Sequence, residues 1–261
     1  MNVEGHCLEH EIPWLTFPAI SHIVIKYVEA SSITYWFKKK FWAKKKRSYA
    51  LDDLDLRLEP FLDFEGGVFV EAGANDGVKQ SNTLYFERHK GWTGLLVEPI
   101  PKLAEQCREN RPNCIVEHAA LVADDCPDDT VDLRYCDLMS VVKGGLESED
   151  QEIEHTEKGS QFLDENDEVH EVSAPARTLS GILDQHELDQ VDLLSLDVEG
   201  YEAQALRGIN FQRHRPRYML IEVRDESDIE KVIGCHYRHV ASLAVHDHRK
   251  DMLFEARSQT R

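Results

Sequence analysis

Short apolar runs alternate with amphipathic segments along residues 68–255, and this alternation is the main pattern of the chain. The apolar runs predict buried strands, and the segments between them predict helices. The predicted strands are 68–72, 94–98, 114–118, 191–197, 218–222, 237–245 and 252–255, and the predicted helices lie near 79–89, near 101–110 and from about Thr178. Strands that alternate with helices form a parallel sheet with right-handed crossovers. The pattern therefore predicts an α/β fold with a doubly wound, mostly parallel, seven-stranded Rossmann-like sheet whose last strand is antiparallel.

The alternation is interrupted by an insertion of about residues 124–171. Val131–Tyr135 alternates between apolar and polar residues and predicts an antiparallel strand of a hairpin. The rest is acidic, since residues 147–171 carry eleven acids against one lysine, and a helix is predicted around 146–160. The simplest interpretation of this charge is a solvated face within a single domain of residues 51–261. If the segment borders the acceptor site instead, its charge argues against a strongly anionic acceptor.

Residues 1–50 form an N-terminal extension that we expect to be partly helical. Its basic-aromatic stretch, residues 37–47, holds seven cations and no acid, although the whole chain has a net charge of −19. Such a stretch can bind an anionic membrane surface, contact a glycan or a partner subunit, or pack on the domain as a solvated arm. Nucleic acid is not expected as a partner, because the remaining surface is acidic and no recognition motif is present. The apolar part of the extension is compatible with a homodimer.

The cysteines and the first residues indicate the compartment. Six cysteines are scattered without a C-x-x-C pair or a histidine at metal-ligand spacing, so we expect free thiols and no metal site built from them. The first ten residues carry acids and lack an apolar core, which does not fit a secretory signal. We therefore expect a cytoplasmic protein, with peripheral membrane contact through residues 37–47 as a variant of that location.

Two strand ends carry the first sign of chemistry. The apolar run at 68–70 ends at an acid, Glu71, and the chain then turns through Gly73 and Gly77. The second strand ends in Glu98, which comes 21 residues after Gly77. Ligands of open α/β sheets bind outside the carboxyl ends of the strands, and a carboxylate at Glu98 can accept both hydroxyls of a ribose there. These strand ends predict a nucleoside-containing cofactor.

The identity of the cofactor follows from the composition of the loop. A dinucleotide needs the pattern G-x-G-x-x-G, whose bare backbone N–H groups bind the pyrophosphate. Here Asn75 takes the place of the second glycine, and Asp76 follows it. The carboxylates of Glu71 and Asp76 would repel a pyrophosphate but suit an ammonium group. S-adenosylmethionine has a ribose, an amino-acid tail and a sulfonium cation but no phosphate, so it is the predicted cofactor.

Four segments of the chain together resemble the FkbM-type S-adenosylmethionine-dependent methyltransferase family. They are Phe69–Gly77, Gly94–Pro99, Leu194–Glu202 and Tyr218–Val223, in the same order as in that family. The resemblance covers roughly residues 50–255 and implies the doubly wound methyltransferase fold. It also implies methyl transfer, usually to a hydroxyl of a sugar, a polysaccharide or a polyketide-like acceptor, and oxygen as the methylated atom rests on this resemblance alone.

Further candidate residues follow the ends of other strands. His118 is expected to line the adenine pocket together with the small residues Ala119 and Ala120, and Pro99 fixes the exit of the chain after Glu98. Asp197 closes the strand 191–197, so we expect it beside the loop after the first strand, at the reactive end of the cofactor. The predicted cofactor-binding residues are Glu71, Gly73, Asn75, Asp76, Gly77, Glu98, Pro99, His118, Ala119, Ala120 and Asp197.

The acceptor is expected to lie near the end of the neighbouring strand. Glu222 ends that strand and can orient the acceptor, take its proton or share a divalent cation, although no spacing demands an ion. Met139 and Ser140 belong to a piece, Leu138–Ser140, that also resembles the family. We predict that this piece either forms part of the acceptor pocket or only packs a hairpin.

The predicted reaction is an in-line displacement in which an acceptor oxygen attacks the sulfonium methyl group, so it needs alignment and a dry site. A hydroxyl acceptor also loses a proton, and a histidine is the natural base. His246 and His248 lie in the predicted loop between the last two strands, on the cofactor side of the sheet, and are the candidate bases; a polar hairpin turn is the alternative. Asp197 completes the catalytic set, whereas Glu199 and Glu202 are expected only to cap the next helix.

Two other functions are compatible with parts of this pattern. An NAD-dependent sugar-nucleotide oxidoreductase or epimerase shares the strand, loop and acid arrangement, but the missing second glycine and the loop acids oppose it. A non-catalytic relative could bind a membrane or a partner through residues 38–47, but a scaffold would need none of the strand-end carboxylates. A methyltransferase that acts on a small-molecule or glycan hydroxyl is therefore the preferred prediction.

Overall fold

A computed structural model describes residues 48–146, 148–163, 165 and 167–258 of the chain. Residues 1–47, which include the basic-aromatic stretch, lie outside the described residues. The partly helical structure and the membrane or partner contacts that we expect of this extension therefore remain predictions. The chain from Ser48 onward belongs to one compact unit. Within the described ranges, no helix is long and apolar enough to cross a membrane.

Eleven strands occur in the described part of the chain. They are β1 (Val68–Ala72), β2 (Thr93–Glu98), β3 (Ile115–His118), β4 (Ala120–Leu121), β5 (Thr130–Tyr135), β6 (Val141–Val142), β7 (His170–Arg177), β8 (Leu193–Leu196), β9 (Tyr218–Val223), β10 (Tyr237–Val245) and β11 (Lys250–Ala256). Seven of them form a sheet in the order β10-β11-β9-β8-β1-β2-β3. Neighbouring strands pair in parallel, except that β11 runs antiparallel to both β9 and β10. The predicted fold class is confirmed, including the antiparallel last strand.

The other four strands build a small sheet in the order β4-β7-β5-β6. In this sheet β5 pairs antiparallel with both β6 and β7, so that Leu133 lies opposite Val142 on one side and Val172 on the other. The antiparallel strand predicted at 131–135 is thus part of β5.

Seven α-helices are found in the same part of the chain. They are α1 (Leu54–Leu58), α2 (Leu84–Lys90), α3 (Pro101–Asn110), α4 (Glu149–Gly159), α5 (Leu179–Gln185), α6 (Glu202–Arg207) and α7 (Glu226–Ile233), and short 3-10 turns occupy Leu51–Asp53, Asp137–Met139 and Ser160–Phe162. Helix α4 confirms the helix predicted around 146–160, and the hydroxyl of Ser148 accepts from Gln151 N at 3.3 Å to begin it. Helix α5 begins as predicted, because Thr178 Oγ1 accepts from Gly181 N at 3.1 Å.

The helix predicted near residues 79–89 begins later, at Leu84. The residues before it turn their hydrogen-bond donors toward Glu71: Ser81 Oγ donates at 2.8 Å, Asn82 N at 2.7 Å and Thr83 Oγ1 at 2.6 Å. Side-chain and backbone donors that serve a carboxylate are withdrawn from helix formation. The prediction was therefore wrong at this end of the helix, because an acid on β1 competes for the first turn.

Apolar layers cover both faces of the large sheet, which explains the near-continuous apolar runs of its strands. Val70, Leu95 and Leu194 pack into one layer. Phe69 and Leu96 pack into the other, since neighbouring residues of a strand point to opposite faces. This burial fixes the strands and leaves the loops at their carboxyl ends to build a site.

Candidate active site

A cavity of about 1450 Å³ opens at the carboxyl edge of the large sheet. Its lining includes residues from four neighbouring strands: Gly73 after β1, Glu98 at the end of β2, Asp197 after β8 and Arg224 after β9. The carboxyl ends of parallel strands are the place where open α/β sheets bind ligands. The size suffices for a nucleoside cofactor together with part of an acceptor.

Gly73 lets the loop after β1 pass directly beside the loop after β8. Its φ is +79°, and a Cβ atom at this position would lie 1.8 Å from the backbone oxygen of Asp197. Backbone hydrogen bonds join the loops to the strands, since Asp197 N donates to Ala72 O at 3.1 Å and Gly73 N donates to Val97 O at 3.0 Å. Only glycine fits both the left-handed backbone and this close approach.

Glu98 is buried at the end of β2 and is held by two backbone N–H groups. Its Oε2 accepts from Asn75 N at 2.8 Å, and its Oε1 accepts from Ile100 N at 2.9 Å. Burial raises the pKa of Glu98 to about 8, although the two backbone hydrogen bonds lower it. The negative charges of Asp137 and Asp76 raise it further. Each carboxylate oxygen keeps a further lone pair. The group therefore fits a partner that donates two hydrogen bonds, as adjacent ribose hydroxyls do.

Glu71 lines the same cavity, but its carboxylate oxygens already accept hydrogen bonds from residues 81–83. The buried guanidinium of Arg111 lies 3.7 Å from Glu71 Oε2 and donates to Gly77 O at 2.9 Å. These bonds fix the loop after β1 from behind. Glu71 thus shapes the loop, and its contact with the cofactor remains a prediction.

Two residues with a left-handed backbone connect the loop after β1 to the inserted segment. Asn75 has a φ of +50° and Asp137 a φ of +49°. Asn75 Nδ2 donates to Asp137 Oδ1 at 2.8 Å, and Lys79 Nζ donates to Asp137 Oδ2 at 2.7 Å. Non-glycine residues in this region are uncommon and cluster at functional sites. Sequence reasoning missed Asp137, whose only signal was its position just before Leu138–Ser140.

Three carboxylates meet beyond the ends of β8 and β9. One oxygen each of Asp197, Glu199 and Glu222 lies within 4.8 Å of the others. Glu222 is buried and ion-pairs with Arg249, while Arg224 Nη2 lies 2.5 Å from Glu199 Oε2 and 3.5 Å from Glu222 Oε1. The spacing of the oxygens is compatible with a divalent cation. The two arginines already bring the positive charge that such an ion would supply.

Asp197 offers an unsatisfied acceptor at the cavity. Its Oδ1 is shielded from water and has no hydrogen-bond partner among the described residues. Burial raises the pKa of the Asp197 carboxyl well above its ordinary value, and the charges of Glu222 and Glu199 add to the shift. A buried oxygen without a hydrogen-bond partner destabilises the folded protein. A ligand that donates a hydrogen bond to this oxygen removes that cost, which favours binding of the ligand. This oxygen fits an ammonium group or another positively charged part of a ligand.

The cavity brings together most of the residues predicted from the sequence. Its lining contains Glu71, Gly73, Asn75, Glu98, Pro99, Ala119, Ala120, Met139, Ser140, Asp197, His246 and His248. Four predicted residues of the described chain are outside this lining, namely Asp76, Gly77, His118 and Glu222. The prediction of where the site lies therefore agrees with the geometry, while the role of each residue remains a prediction.

Local contacts explain the positions of the residues outside the lining. Asp76 Oδ1 caps the following turn by accepting two backbone N–H bonds, at 2.8 and 2.7 Å. Gly77 packs against Arg111, whose Cγ would lie 3.0 Å from an added Cβ. The ring Nε2 of His118 lies 3.0 Å from Pro99 O. These three residues support the loops around the cavity from behind.

The acidic insertion forms one wall of the cavity, whereas a solvated face was the simplest interpretation of its charge. The lining residues from α4 and the turn after it are Gln151, Glu154, His155, Lys158 and Phe162. Residues three and four positions apart share one face of a helix, so this face points at the cavity. That helical period was the signal that could have identified the wall. Leu146, Tyr201, Arg224 and Arg249 also line the cavity and were not predicted.

The two candidate bases lie at the exposed side of the cavity. His246 Nε2 lies 2.8 Å from Asp52 Oδ2, and 38% of the His246 side chain is exposed. His248 lines the cavity and is also exposed. Glu202 caps α6 as expected, accepting from Val198 N at 3.1 Å and Gly200 N at 3.0 Å. Glu199 instead faces the cavity.

Comparisons with known proteins agree with this geometry. The family described as the methyltransferase FkbM domain matches residues 71–254. No curated protein matches the chain. Among solved structures, the chain is similar to a TehB-like SAM-dependent methyltransferase from Corynebacterium glutamicum ATCC 13032 Kitasato, with 12% identity, 88% of this chain and 100% of that chain covered, and a TM-score of 0.41.

Two further solved structures are similar to the chain at the same remote level. One is methyltransferase FkbM from Methylobacillus flagellatus KT, with 12% identity, 79% of this chain and 56% of that chain covered, and a TM-score of 0.44. The other is the 1,6-didemethyltoxoflavin-N1-methyltransferase of Burkholderia thailandensis with bound S-adenosylhomocysteine, with 14% identity, coverages of 98% and 100%, and a TM-score of 0.38.

Proposed function

The chain belongs to the FkbM methyltransferase family, and from that premise we propose that it methylates a hydroxyl oxygen of a sugar, a polysaccharide or a related small acceptor. Family membership makes S-adenosylmethionine the cofactor and sets the NAD-dependent oxidoreductase aside. The observation that supports cofactor binding is the unsatisfied Oδ1 of Asp197 beside the Gly73 loop, in one cavity with the two spare lone pairs of Glu98. The acceptor class is supported by the charges of the cavity wall.

The residues present fit the cofactor. Glu98 would accept the two ribose hydroxyls, and Asp197 Oδ1 would accept from the ammonium of the amino-acid tail. Gly73 brings the loop after β1 against the loop that carries Asp197, and the small side chains of Ala119 and Ala120 leave room for the adenine ring. When bound, the cofactor supplies a methyl group on a sulfonium cation. The protein aligns an acceptor oxygen with it and excludes water.

The charges of the cavity wall support a neutral hydroxyl acceptor. Each lysine and arginine in the described lining is ion-paired with an acid: Lys79 with Asp137, Lys158 with Glu154, Arg224 with Glu199, Arg249 with Glu222, and Lys250 with Glu226. A phosphate or carboxylate on the acceptor would have to displace one of these acids. The hydroxyls of a neutral sugar need only hydrogen-bond partners, which the same side chains offer.

The proposal is tested with radiolabelled S-adenosylmethionine and methyl glycosides of neutral hexoses, deoxyhexoses and uronic acids. We expect label in a neutral glycoside as an alkali-stable ether. Label lost on alkaline treatment would indicate a carboxyl ester and contradict the hydroxyl acceptor. If no glycoside becomes labelled, calorimetric titration with S-adenosylhomocysteine shows whether the protein still binds the cofactor product. Binding without methyl transfer would favour a non-catalytic relative or another acceptor.

Replacing Asp137 with asparagine tests how the inserted segment tunes the cofactor site. Asparagine tolerates the left-handed backbone, so the variant removes mainly a negative charge. Because that charge raises the pKa of Glu98, the variant should let Glu98 ionise at lower pH. We expect the pH at which S-adenosylhomocysteine affinity rises to move downward, as measured by calorimetry over a pH series. Asp132→Asn is the control, because Asp132 is an exposed residue on β5. If the pH at which the affinity rises were the same in both variants, the prediction would be contradicted.

We also propose a cytoplasmic location with peripheral contact between residues 37–47 and anionic membranes. The seven cations and three aromatic residues of that stretch support this. Co-sedimentation with vesicles that contain or lack anionic lipid tests it, and equal binding to both would contradict it. A homodimer remains a prediction that sedimentation velocity would check.

A further inference from the structure

Helix α4 of the insertion carries a histidine into the cavity beside the acid cluster. His155 Nε2 lies 3.2 Å from Glu199 Oε2, and the exposed fractions of the two side chains are 11% and 15%. Glu199 follows β8, so the contact joins the inserted helix to the loop that carries Asp197. Both His155 and Glu199 line the cavity.

The nitrogen of His155 that faces Glu199 makes no hydrogen bond of its own. Nε2 is shielded from water and makes no hydrogen bond to any described residue, because the 3.2 Å approach to Glu199 is not aligned for one. A buried imidazole nitrogen without a partner is an unsatisfied polar group. By contrast, His246 is more exposed and ion-pairs with Asp52. A base that works in a dry site is better matched by the less exposed ring of His155.

The carboxylate beside His155 is held in place by its own contacts. Glu199 adopts a left-handed φ of +56°, and its Oε2 accepts from Arg224 Nη2 at 2.5 Å. A Glu199 oxygen lies within 4.8 Å of an oxygen of Asp197, whose backbone packs on Gly73. The imidazole, the carboxylate and the cofactor loop thus belong to one contiguous cluster.

The helix that carries His155 is anchored along the neighbouring face. Glu152 Oε1 accepts from Gly144 N at 2.5 Å, and Thr156 is buried with its hydroxyl donating to Glu152 O at 2.9 Å. A Cβ at Gly159 would lie 2.8 Å from Cys136 Sγ, so the end of the helix packs closely on the 3-10 turn. Such anchoring fixes the position of a functional side chain.

From this geometry we infer that His155 is the general base of the methyl transfer, with Glu199 as its charge partner. The inference rests on the proposed function. The acceptor hydroxyl gives its proton to the His155 imidazole, whose Nε2 faces Glu199, while the hydroxyl oxygen forms a bond to the methyl carbon. The carbon–sulfur bond breaks, and its electron pair stays on sulfur, which leaves S-adenosylhomocysteine. The imidazolium that forms is stabilised by the Glu199 carboxylate.

The first test is the turnover of His155→Gln with the neutral glycoside that the wild type methylates best. We expect kcat to fall about 100-fold or more, as for loss of a general base, with unchanged affinity for S-adenosylhomocysteine. His186→Gln is the matched control, because His186 also ion-pairs with a glutamate, Glu117, but outside the cavity lining. The control should keep wild-type turnover.

A second readout separates a base from a structural residue. Added imidazole should restore part of the turnover of His155→Ala, and more of it as the pH rises, because only the neutral form accepts a proton. Glu199→Gln should lower kcat about 10-fold, since it removes the charge partner but leaves the ring. The groups that set this pH response are Glu154 and Lys158 on α4, Glu199 after β8, Arg224 after β9, and His248 near Glu154.

Each result of these experiments has one meaning. Wild-type kcat in His155→Gln would overturn the inference and leave the proposed function intact. If His246→Gln or His248→Gln abolishes turnover while His155→Gln retains it, the inference about His155 is also overturned and the proposed function stands. The general base would then be a histidine of the loop before β11. No transfer by the wild type to any glycoside would instead contradict the proposed function, and this inference with it.

Discussion

Replacing Gly73 with alanine is expected to abolish cofactor binding and to lower the free energy of unfolding by about 3 kcal/mol or more. The added Cβ would lie 1.8 Å from the backbone oxygen of Asp197, and φ at this position is +79°. The added Cβ is fixed by the backbone of residue 73, and the atom it meets is a backbone oxygen, so no side-chain rotation can relieve the clash. The loop after β1 and the loop after β8 must therefore move apart. That movement opens the cofactor site and exposes the carboxyl ends of two central strands.

Urea unfolding and calorimetric titration with S-adenosylhomocysteine measure the two parts of this effect. Gly66→Ala and Gly91→Ala are matched controls, because these glycines have φ of +70° and +65° but nothing within 4 Å of an added Cβ. They isolate the cost of the left-handed backbone, which is about 1 kcal/mol. If Gly73→Ala cost no more than the controls, the close approach of the two loops would be refuted.

Glu98→Ala is expected to weaken S-adenosylhomocysteine binding about 100-fold, because two charge-assisted hydrogen bonds of about 1.5 kcal/mol each are lost. The alanine also leaves Asn75 N and Ile100 N without the carboxylate that binds them. Glu98→Gln keeps the shape of the side chain and should lose less affinity. Calorimetry on both variants measures the effect, and unchanged affinity would show that the ribose binds elsewhere.

The pH dependence of Glu98 has opposite signs for folding and for binding. Because burial raises its pKa from 4.5 to about 8, the folded protein holds a proton that the unfolded chain gives up. The stability that Glu98 contributes is therefore fully present below about pH 4.5 and is lost as the pH rises through about 8. Binding should instead strengthen over the same interval, since the ionised carboxylate accepts both hydroxyls.

Glu98→Gln should remove the pH dependence of both stability and S-adenosylhomocysteine binding that Glu98 causes. Urea unfolding and calorimetry over a pH series measure the two effects. Glu117→Gln is the control, because Glu117 lies on the neighbouring strand β3 and has its partner, His186, outside the cavity lining. A binding slope that survived in Glu98→Gln would have to come from another acid, and Asp197 would be the first to examine.

Short-range patterns explain what the sequence predicted well. The apolar runs that became β1, β2, β8 and β9 are buried on both faces, so their composition alone identifies them as central strands. Acids at the ends of those runs necessarily meet at one edge of a parallel sheet, which placed Glu98 and Asp197 in one cavity. Glycine at Gly73 follows from local turn chemistry.

The sequence did not show side-chain contacts between distant segments. Residues 81–83 donate to the oxygens of Glu71 and delay the start of α2, while the contact of Glu71 with the cofactor remains a prediction. The acid-rich insertion looked solvated, because its composition does not say which helix face meets the domain. His155 gave no signal for the same reason, since Glu199 reaches it only when α4 folds over the cavity.

The sequence by itself determined the sheet, its antiparallel last strand, the family and the edge of the sheet at which the cavity opens. Strand burial, turn residues and strand-end acids act over a few residues, so they can be recognised without tertiary contacts. Only the tertiary structure decided which carboxylates are already bound, which oxygen remains unsatisfied and which histidine nitrogen is shielded beside an acid. Those properties depend on contacts between segments that the chain brings together only on folding, such as α4 with the loop after β8.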